Sequence, residues 1–533
     1  MADLTVEVYD TTLRDGAQQE GMNLSVADKL AIAELLDELG VGVIEGGWPG
    51  AVPKDTEFFA LVNKELTFTN AQFAAFGMTR RAGTSAANDP QVRALLDSEA
   101  PLITLVAKSD IRHAERALRV SGDENLRMIE ETVAFLVAEG RRVLLDAEHF
   151  FDGYHFDPDY ALKAVLAGAN AGASTLVLCD TNGGMLPDDV TRVVSEVAAR
   201  TSAQLGIHAH NDSGCAVANS MAAVAAGATH VQGCVNGYGE RTGNADVVAV
   251  AANLELKRNM IALRSGGLRE ATRIAHAISE ITNIVPFARQ PYVGASAFAH
   301  KAGLHASAIK VDPDLYQHTD PANVGNDMRM LVSEMAGRAS IELKGKELGI
   351  DLSGQSDVLT RVTERVKNAE AAGYTYDAAD ASFELLLRAE LGEAPVYWRV
   401  EGWNVSVVSA PGNPQAADAE AIVKLRAGGE HRYLTVGEGN GPVNALDHAL
   451  RQALLPVYPQ IARFELVDFK VRIMDASHGT DAVTRVLITT VDSQTGRTWC
   501  TVGVGPNIIE ASWEAFAEAL LYGLIKAGVD PQP

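Results

Sequence analysis

The sequence predicts an α/β protein: a (β/α)8 TIM barrel, then a helical linker subdomain, then a C-terminal α+β domain of two βββα units. Three observations carry this reading. Eight short β-rich apolar runs alternate with amphipathic helical stretches between Val6 and about Arg258, which is the count and length of such a barrel. Charged or histidine-rich signatures follow the first, seventh and eighth of those runs. From about Val396 to Gly528 the chain repeats itself.

The expected barrel strands are residues 6–9, 41–45, 72–76, 102–107, 142–146, 175–179, 204–208 and 230–235. Helical patterns lie between them, for example over 26–39, 125–139, 187–200 and 216–226. Ser25 ahead of Val26, and Gly40 and Gly140 behind their helices, fit capping chemistry. An open doubly wound sheet is the alternative. It is disfavoured because the signatures after strands one, seven and eight must meet, and strands one and eight are neighbours only when the sheet closes.

The stretch 259–393 loses the strand signal, with helical patterns over 268–284, 340–348, 357–371 and 378–391 and an irregular segment, 286–327, rich in Gly, Pro, His and Asn. In the last part, Val436–Gly437–Glu438–Gly439 is expected to open a helix through Leu454, and Val502–Gly503–Val504–Gly505 one through Leu520. Ala445, Ala449 and Ala453 match Ala511, Ala515 and Ala519. Strand-like runs precede each helix, over 398–409, 421–426 and 432–435, then 465–474, 483–491 and 498–501. The expected division is a barrel over 1–265, a helical linker over 266–395 and an α+β domain of the duplicated units over 396–533.

At 533 residues the chain is too long for one core. A net charge of −24 argues against nucleic acid and anionic membrane as partners, so an anionic substrate needs local cations or a metal. No apolar stretch is long enough to cross a bilayer, and Met1–Ala2–Asp3–Leu4 lacks the basic start of an export signal. Cys179, Cys215, Cys234 and Cys500 show no paired spacing, as expected of reduced thiols in a cytoplasmic protein.

The richest segment is Gly206–Ile207–His208–Ala209–His210–Asn211–Asp212. Residues i and i+2 of a strand face one side, so both imidazoles point to one place, either as metal ligands or as satisfied loop histidines. Asp15, in Asp10–Thr11–Thr12–Leu13–Arg14–Asp15–Gly16, adds a carboxylate, and Asn244, in Gly237–Tyr238–Gly239–Glu240–Arg241–Thr242–Gly243–Asn244, a neutral oxygen. That donor set suits Zn2+, Mn2+ or Mg2+. Arg14 is a candidate stabiliser of an enolate or alkoxide, or else the partner of Glu148 or Asp180 in a salt bridge. Glu148, after strand five, lies at the barrel end where proton transfer takes place. Thr181, after strand six, either binds a substrate carboxylate or caps the following turn. Arg80 and Arg81, after strand three, lie at the same rim of the barrel, as candidate ligand-binding residues or an ordinary solvated pair.

Arg14–Asp15–Gly16, His208-x-His210-Asn211-Asp212 and Gly237-x-Gly239-Glu240-Arg241-x-Gly243-Asn244 resemble the signatures of the metal-dependent acyl-CoA condensing and cleaving barrels. That superfamily includes the 2-isopropylmalate, homocitrate and citramalate synthases and the HMG-CoA lyases. The resemblance implies a divalent metal on Asp15, His208 and His210, with Asn244 at a position that coordinates in some members. It implies that Arg14 holds the 2-oxoacid and its oxyanion, that Thr181 contacts the carboxylate and that Glu148 transfers a proton. Phe298–Ala299–His300–Lys301–Ala302–Gly303–Leu304–His305 resembles the flexible-subdomain motif, implying His305 as general base with Tyr316 beside it, reaching the partner subunit's active site in a homodimer.

After strand two, isopropylmalate synthases carry Glu-Ala-Gly-Phe-Pro, whereas this chain has Glu45–Gly46–Gly47–Trp48–Pro49. With Asp146–Ala147–Glu148–His149–Phe150–Phe151, that is closer to the long-chain citramalate synthases, implying acetyl-CoA and pyruvate as substrates on a threonine-independent route to isoleucine. A different 2-oxoacid, as in isopropylmalate or homocitrate synthesis, or a related lyase step, are the alternatives. The duplicated domain resembles the synthases' regulatory domain. Its glycine-rich turns, 437–441 and 503–507, are expected to open helices whose N–H groups hold the carboxylate of an isoleucine effector, the alternative being a dimerisation domain without a ligand.

Overall fold

The computed structural model describes residues 4–409, 417–429, 431–474 and 482–532. Three of the four residues read for an export leader, Met1, Ala2 and Asp3, lie outside the described residues. The chain forms two compact units, Met1–Phe298 with Thr319–Asp327, and Ala299–His318 with Met328–Pro533. No helix among the described residues is long and apolar enough to cross a membrane.

The first unit is a closed barrel of eight parallel strands in sequential order: β1 (Glu7–Asp10), β2 (Val43–Gly47), β3 (Gln72–Met78), β4 (Leu102–Lys108), β5 (Arg142–Glu148), β6 (Thr175–Asp180), β7 (Gln204–Ala209) and β8 (His230–Gly233). Closure is direct: β1 pairs with β2 through Tyr9 and Val43 and with β8 through Glu7 and His230. The closed sheet therefore holds against the open one, and each strand end lies within two residues of its expected place. The helix Val26–Leu39 starts in a capping box between Ser25 and Asp28 and stops at Gly40, whose φ of 89° puts it in the left-handed region. The expected helix over 268–284 is split into a 3-10 turn, Gly267–Glu270, and a helix, Ala271–Thr282.

The main core lies between the barrel and its helices. Inside the barrel, Tyr9, Val43, Ala74, Leu102 and Leu144 form a small separate cluster, and polar side chains fill the space beyond it. At the opposite end, Arg142 donates to both oxygens of Glu7, at 2.9 and 2.8 Å, and His230 Nδ1 lies 2.8 Å from Glu7 Oε2.

In the second unit, the short strands β9 (Ala299–His300) and β10 (Arg329–Met330) pair in parallel. The segment read as irregular contains a helix, Gly303–Val311, which is a correction. Only Ala306 and Ile309 of this helix are buried, so it carries too little apolar periodicity to be seen in the sequence. The helices Arg338–Glu347, Ser356–Ala371 and Asp380–Leu391 follow.

The duplication is real. One antiparallel sheet consists of β11 (Trp398–Ser409), β12 (Ala417–Ala427) and β13 (His431–Gly439), followed by the helix Pro442–Leu454. The other consists of β14 (Phe464–Ile473), β15 (Thr484–Asp492) and β16 (Thr498–Gly505), followed by the helix Ile508–Lys526. A bulge falls at equivalent places, between Val400 and Gly402 and between Leu466 and Asp468. Thr435 Oγ1 donates to Ala449 O at 2.7 Å, and the matching Thr501 Oγ1 to Ala515 O at 2.6 Å.

The glycine pairs are the second correction. Gly437 and Gly503 lie within β13 and β16 and open no helix. A Cβ on Gly437 would stand 2.4 Å from Ala445 O, and one on Gly503 1.9 Å from Ala511 O. The repeated glycines and alanines thus let each helix backbone lie directly on its sheet.

Candidate functional site

The loops after β1, β7 and β8 meet at the C-terminal mouth of the barrel. Asp15 follows β1, His208 is the penultimate residue of β7, and His210 forms a β-bridge with Asn244 on the loop after β8. Asp15 Oδ2 lies 3.1 Å from His208 Nε2 and 3.4 Å from His210 Nε2, and all three residues are buried. Their ligand atoms lie within 4.8 Å of one another. Asn244 donates through Nδ2 to Tyr238 O, whereas its buried Oδ1 has no hydrogen-bond partner among the described residues. One carboxylate, two imidazoles and an orphaned amide oxygen fit a divalent cation.

The two histidines are held differently. His208 Nδ1 faces Gln232 Oε1 at 2.9 Å, and Gln232 Nε2 donates to Asp146 Oδ1 at 3.0 Å. His210 Nδ1 instead faces a donor, Arg241 Nη2, at 2.7 Å. Arg241 also makes two hydrogen bonds to Asp212 and has a φ of 54°.

Burial works against a charge on Asp15, but Arg14 beside it, with His208 and His210 in contact, holds its carboxyl well below the usual range. Burial pushes the Asp146 carboxyl up to about 8, with the charge of Glu45 adding to it.

Arg14 pairs with neither Glu148 nor Asp180. Its Nε donates to Glu45 Oε1 at 2.5 Å, its Nη1 lies 3.6 Å from Asp15 Oδ1, and its guanidinium stands 3.8 Å from the centre of the Phe76 ring. The other Glu45 oxygen accepts from the Tyr9 hydroxyl at 2.6 Å. With its one proton spent on Glu45, Tyr9 accepts from Thr104 Oγ1 at 2.6 Å. Asp180 accepts from the N–H groups of Gly184 and Met185 and shapes the loop after β6.

Glu148 is paired with Lys108 from β4, a partner the sequence reading passed over. Thr181 does not cap its own turn. Its Oγ1 accepts from the N–H of His149 at 2.8 Å, which leaves the hydroxyl proton to donate elsewhere. His149 stands in the left-handed region, φ 59°, where β5 turns into the next helix.

Arg14, Asp15, Asp146, Glu148, Thr181, His208 and His210 share one cavity of ≈ 340 Å3, with Trp48, Phe76, Met78, Val106 and Cys179 on its apolar side. Arg80 is not a solvated residue: it is buried, with Nε on Glu131 at 2.6 Å and Nη1 on Glu124 at 3.0 Å. His305 and Tyr316 belong to the second unit, where their rings stack with centroids 4.1 Å apart.

Comparison with known proteins fits this architecture. Residues 5–279 match the HMGL-like family, 292–373 the homocitrate synthase post-HMGL domain-like family, and 377–524 the LeuA allosteric (dimerisation) domain. An (R)-citramalate synthase of Streptomyces coelicolor is 62% identical over 99% of this chain and 98% of its own. The chain belongs to the citramalate synthases of the HMGL-like family. An (R)-citramalate synthase of Synechocystis is 47% identical over 97% of this chain and 96% of its own. A probable 2-isopropylmalate synthase of Methanopyrus kandleri is further away, at 32% over 97% of both chains.

Proposed function

We propose that this citramalate synthase family member condenses acetyl-CoA with pyruvate and releases citramalate and free CoA. The observation that carries the reading is the meeting of Arg14, Asp15, His208 and His210 in one cavity, on a chain 62% identical to an (R)-citramalate synthase across almost its whole length. Asp15, His208 and His210 would hold a divalent cation, Mn2+, Mg2+ or Zn2+, with Asn244 Oδ1 as a further oxygen. When bound, the cation supplies Lewis-acid polarisation of the 2-oxo group.

The chain's own residues do the rest. Thr181 donates its free hydroxyl proton to the pyruvate carboxylate. Trp48 and Phe76, on the cavity's apolar side, face the methyl group of the 2-oxoacid. His305, with Tyr316 stacked on it, takes a proton from the acetyl methyl group, and the resulting carbanion attacks the keto carbon. Arg14, aimed by Glu45, stabilises the alkoxide that forms. Glu148 exchanges a proton with the product oxygen, and Lys108 holds its carboxylate at the mouth. Water then hydrolyses the thioester, which makes the condensation irreversible. For His210 to offer Nε2 as a lone pair, its proton must sit on Nδ1 and Arg241 must give that nitrogen up.

The proposed division is a catalytic segment, 1–265, a linking segment, 266–395, that brings in His305, and a regulatory segment, 396–533. The proposed assembly is a homodimer in which His305 serves the partner subunit's barrel. Exposed Val407, Leu434, Val436, Val467, Val471 and Ile473 on the two sheets support such an association. The effector proposed for this segment is isoleucine, the end product of the route. The match to an allosteric domain supports a small effector there, whereas Gly437 and Gly503 lie in strands and offer it no helix N-terminus. Four free cysteines fit a cytoplasmic location. A thiol reagent tests the reaction: CoA is released only when acetyl-CoA and pyruvate are both supplied. Cleavage of citramalyl-CoA to acetyl-CoA and pyruvate, with no free CoA and no condensation, would point to a lyase instead.

A further inference from the structure

The interior of the barrel holds a hydrogen-bonded line that none of the catalytic roles above uses. It runs from Asp146 on β5 through Gln232 on β8 to His208 on β7. Gln232 is fully buried and stands in register with His208 on the neighbouring parallel strand, so both side chains enter the barrel at one level.

We propose that Gln232 is a positioning residue for the metal. Its side-chain carbonyl, turned by Asp146, keeps the proton of His208 on Nδ1 and leaves Nε2 as a lone pair beside Asp15. The inference rests on the reading that Asp15 and His208 hold a divalent cation.

A primary amide has a donor end and an acceptor end. Asp146 Oδ1 accepts from Gln232 Nε2, and it can do so with or without a proton on Oδ2. The acceptor end, Oε1, is thereby directed at His208 Nδ1 at 2.9 Å. A neutral imidazole with its proton on Nδ1 has none on Nε2. His208 Nε2 and Asp15 Oδ2 then face each other at 3.1 Å as two buried acceptors. Such a pair repels unless a cation binds both, so the relay makes His208 a ready ligand before any metal arrives. His210 has no such support, because its Nδ1 faces the Arg241 donor. His208 and Asp15 therefore form the ready half of the site.

The competing account is a buried glutamine that merely satisfies its own amide. It predicts lost stability and unchanged metal affinity once stability is allowed for. Mn2+ binding to the full chain, measured by titration calorimetry, separates the two, with thermal unfolding of each metal-free protein alongside. Gln232→Met keeps the volume and removes both hydrogen bonds. It is expected to weaken Mn2+ binding roughly ten- to hundredfold and to alter the Co2+ absorption spectrum. Gln232→Glu keeps an acceptor for Nδ1–H and is expected to recover most of the affinity. Where Gln232→Met does not fold, Asp146→Leu, which removes the group that turns the amide, is expected to weaken binding in the same direction. Affinity in Gln232→Met within about threefold of the unsubstituted chain, against the loss expected for second-shell changes, would overturn the inference while leaving the metal reading intact. An unsubstituted chain that binds no divalent cation would overturn both.

Discussion

Nε of Arg14 lies 2.5 Å from Oε1 of Glu45, so the guanidinium over the cavity is aimed by a carboxylate on the neighbouring strand. Tyr9 and Thr104 fix that carboxylate in turn, and Phe76 supports the flat face of the cation. Arg14→Lys loses the planar fork and is expected to lower kcat by about a hundredfold or more. Glu45→Ala leaves the charge but frees its direction, with an expected loss of about a hundredfold, the scale of a small misplacement. Steady-state CoA release measures both. A Glu45→Ala enzyme with its kcat unchanged would show that aiming is unnecessary.

Metal removal gives the second prediction. Chelation is expected to abolish turnover, and added Mn2+ to restore it in the unsubstituted chain only. Asp15→Asn and His208→Ala should be inactive while folding as before, checked by circular dichroism. Saturating metal, at about a hundred times Kd, should stabilise the unsubstituted chain by about 2.7 kcal/mol and the variants hardly at all. Full turnover in a metal-free preparation would contradict the assignment.

The third concerns the repeat. A methyl group at Gly503 would stand 1.9 Å from Ala511 O, and Gly437→Ala meets Ala445 O at 2.4 Å. In both cases the helix must lift off its sheet, at an expected cost of roughly 1–3 kcal/mol or more for overpacking. Thermal unfolding should record that loss, whereas Gly441→Ala, with open space around it, should behave much like the unsubstituted chain.

These glycines show where reading the sequence succeeds and where it stops. Local period and end signals placed all eight barrel strands, because each apolar run is bounded by turn chemistry close to where the strand ends. Gly-x-Gly before a helical pattern looks like a loop that opens a helix, and only the neighbouring backbone reveals a close approach. The helix Gly303–Val311 escaped for a different reason: two buried residues in nine leave no stripe to detect. At the site, Asp15, His208 and His210 were visible because their types are unusual behind apolar runs. Their supports were not. Glu45 lies 31 residues from Arg14, Gln232 lies 24 from His208, and Lys108 lies 40 from Glu148. Such pairings exist only once the barrel closes and sets neighbouring strands in register.

The fourth prediction is a pH dependence at the other end of the barrel. Burial alone would raise the Glu7 carboxyl, but the hydrogen bonds and charges of His230 and Arg142 bring it down to about 2 from its ordinary 4.5. A carboxyl lowered in the folded state adds stability above its unfolded pKa and loses it as pH falls through the folded one. The contribution should therefore be complete above about pH 5 and fade between roughly 4.5 and 2. Glu7→Gln is expected to cost about 1–2 kcal/mol at neutral pH. The gap between the two unfolding curves should close as the pH is lowered through that window. A gap that stayed constant down to pH 2 would assign the loss to packing instead.

The central claim is that this cavity selects pyruvate for condensation with acetyl-CoA. The most direct test is kcat/KM for CoA release with pyruvate, 2-oxobutyrate, 2-oxoisovalerate and 2-oxoglutarate in turn, under saturating acetyl-CoA and metal. The account predicts the highest value for pyruvate, with 2-oxoisovalerate and 2-oxoglutarate poor, since each added methylene or branch must fit against Trp48 and Phe76 at a cost of about 1–3 kcal/mol. A higher kcat/KM on 2-oxoisovalerate would contradict it and assign the chain to isopropylmalate synthesis.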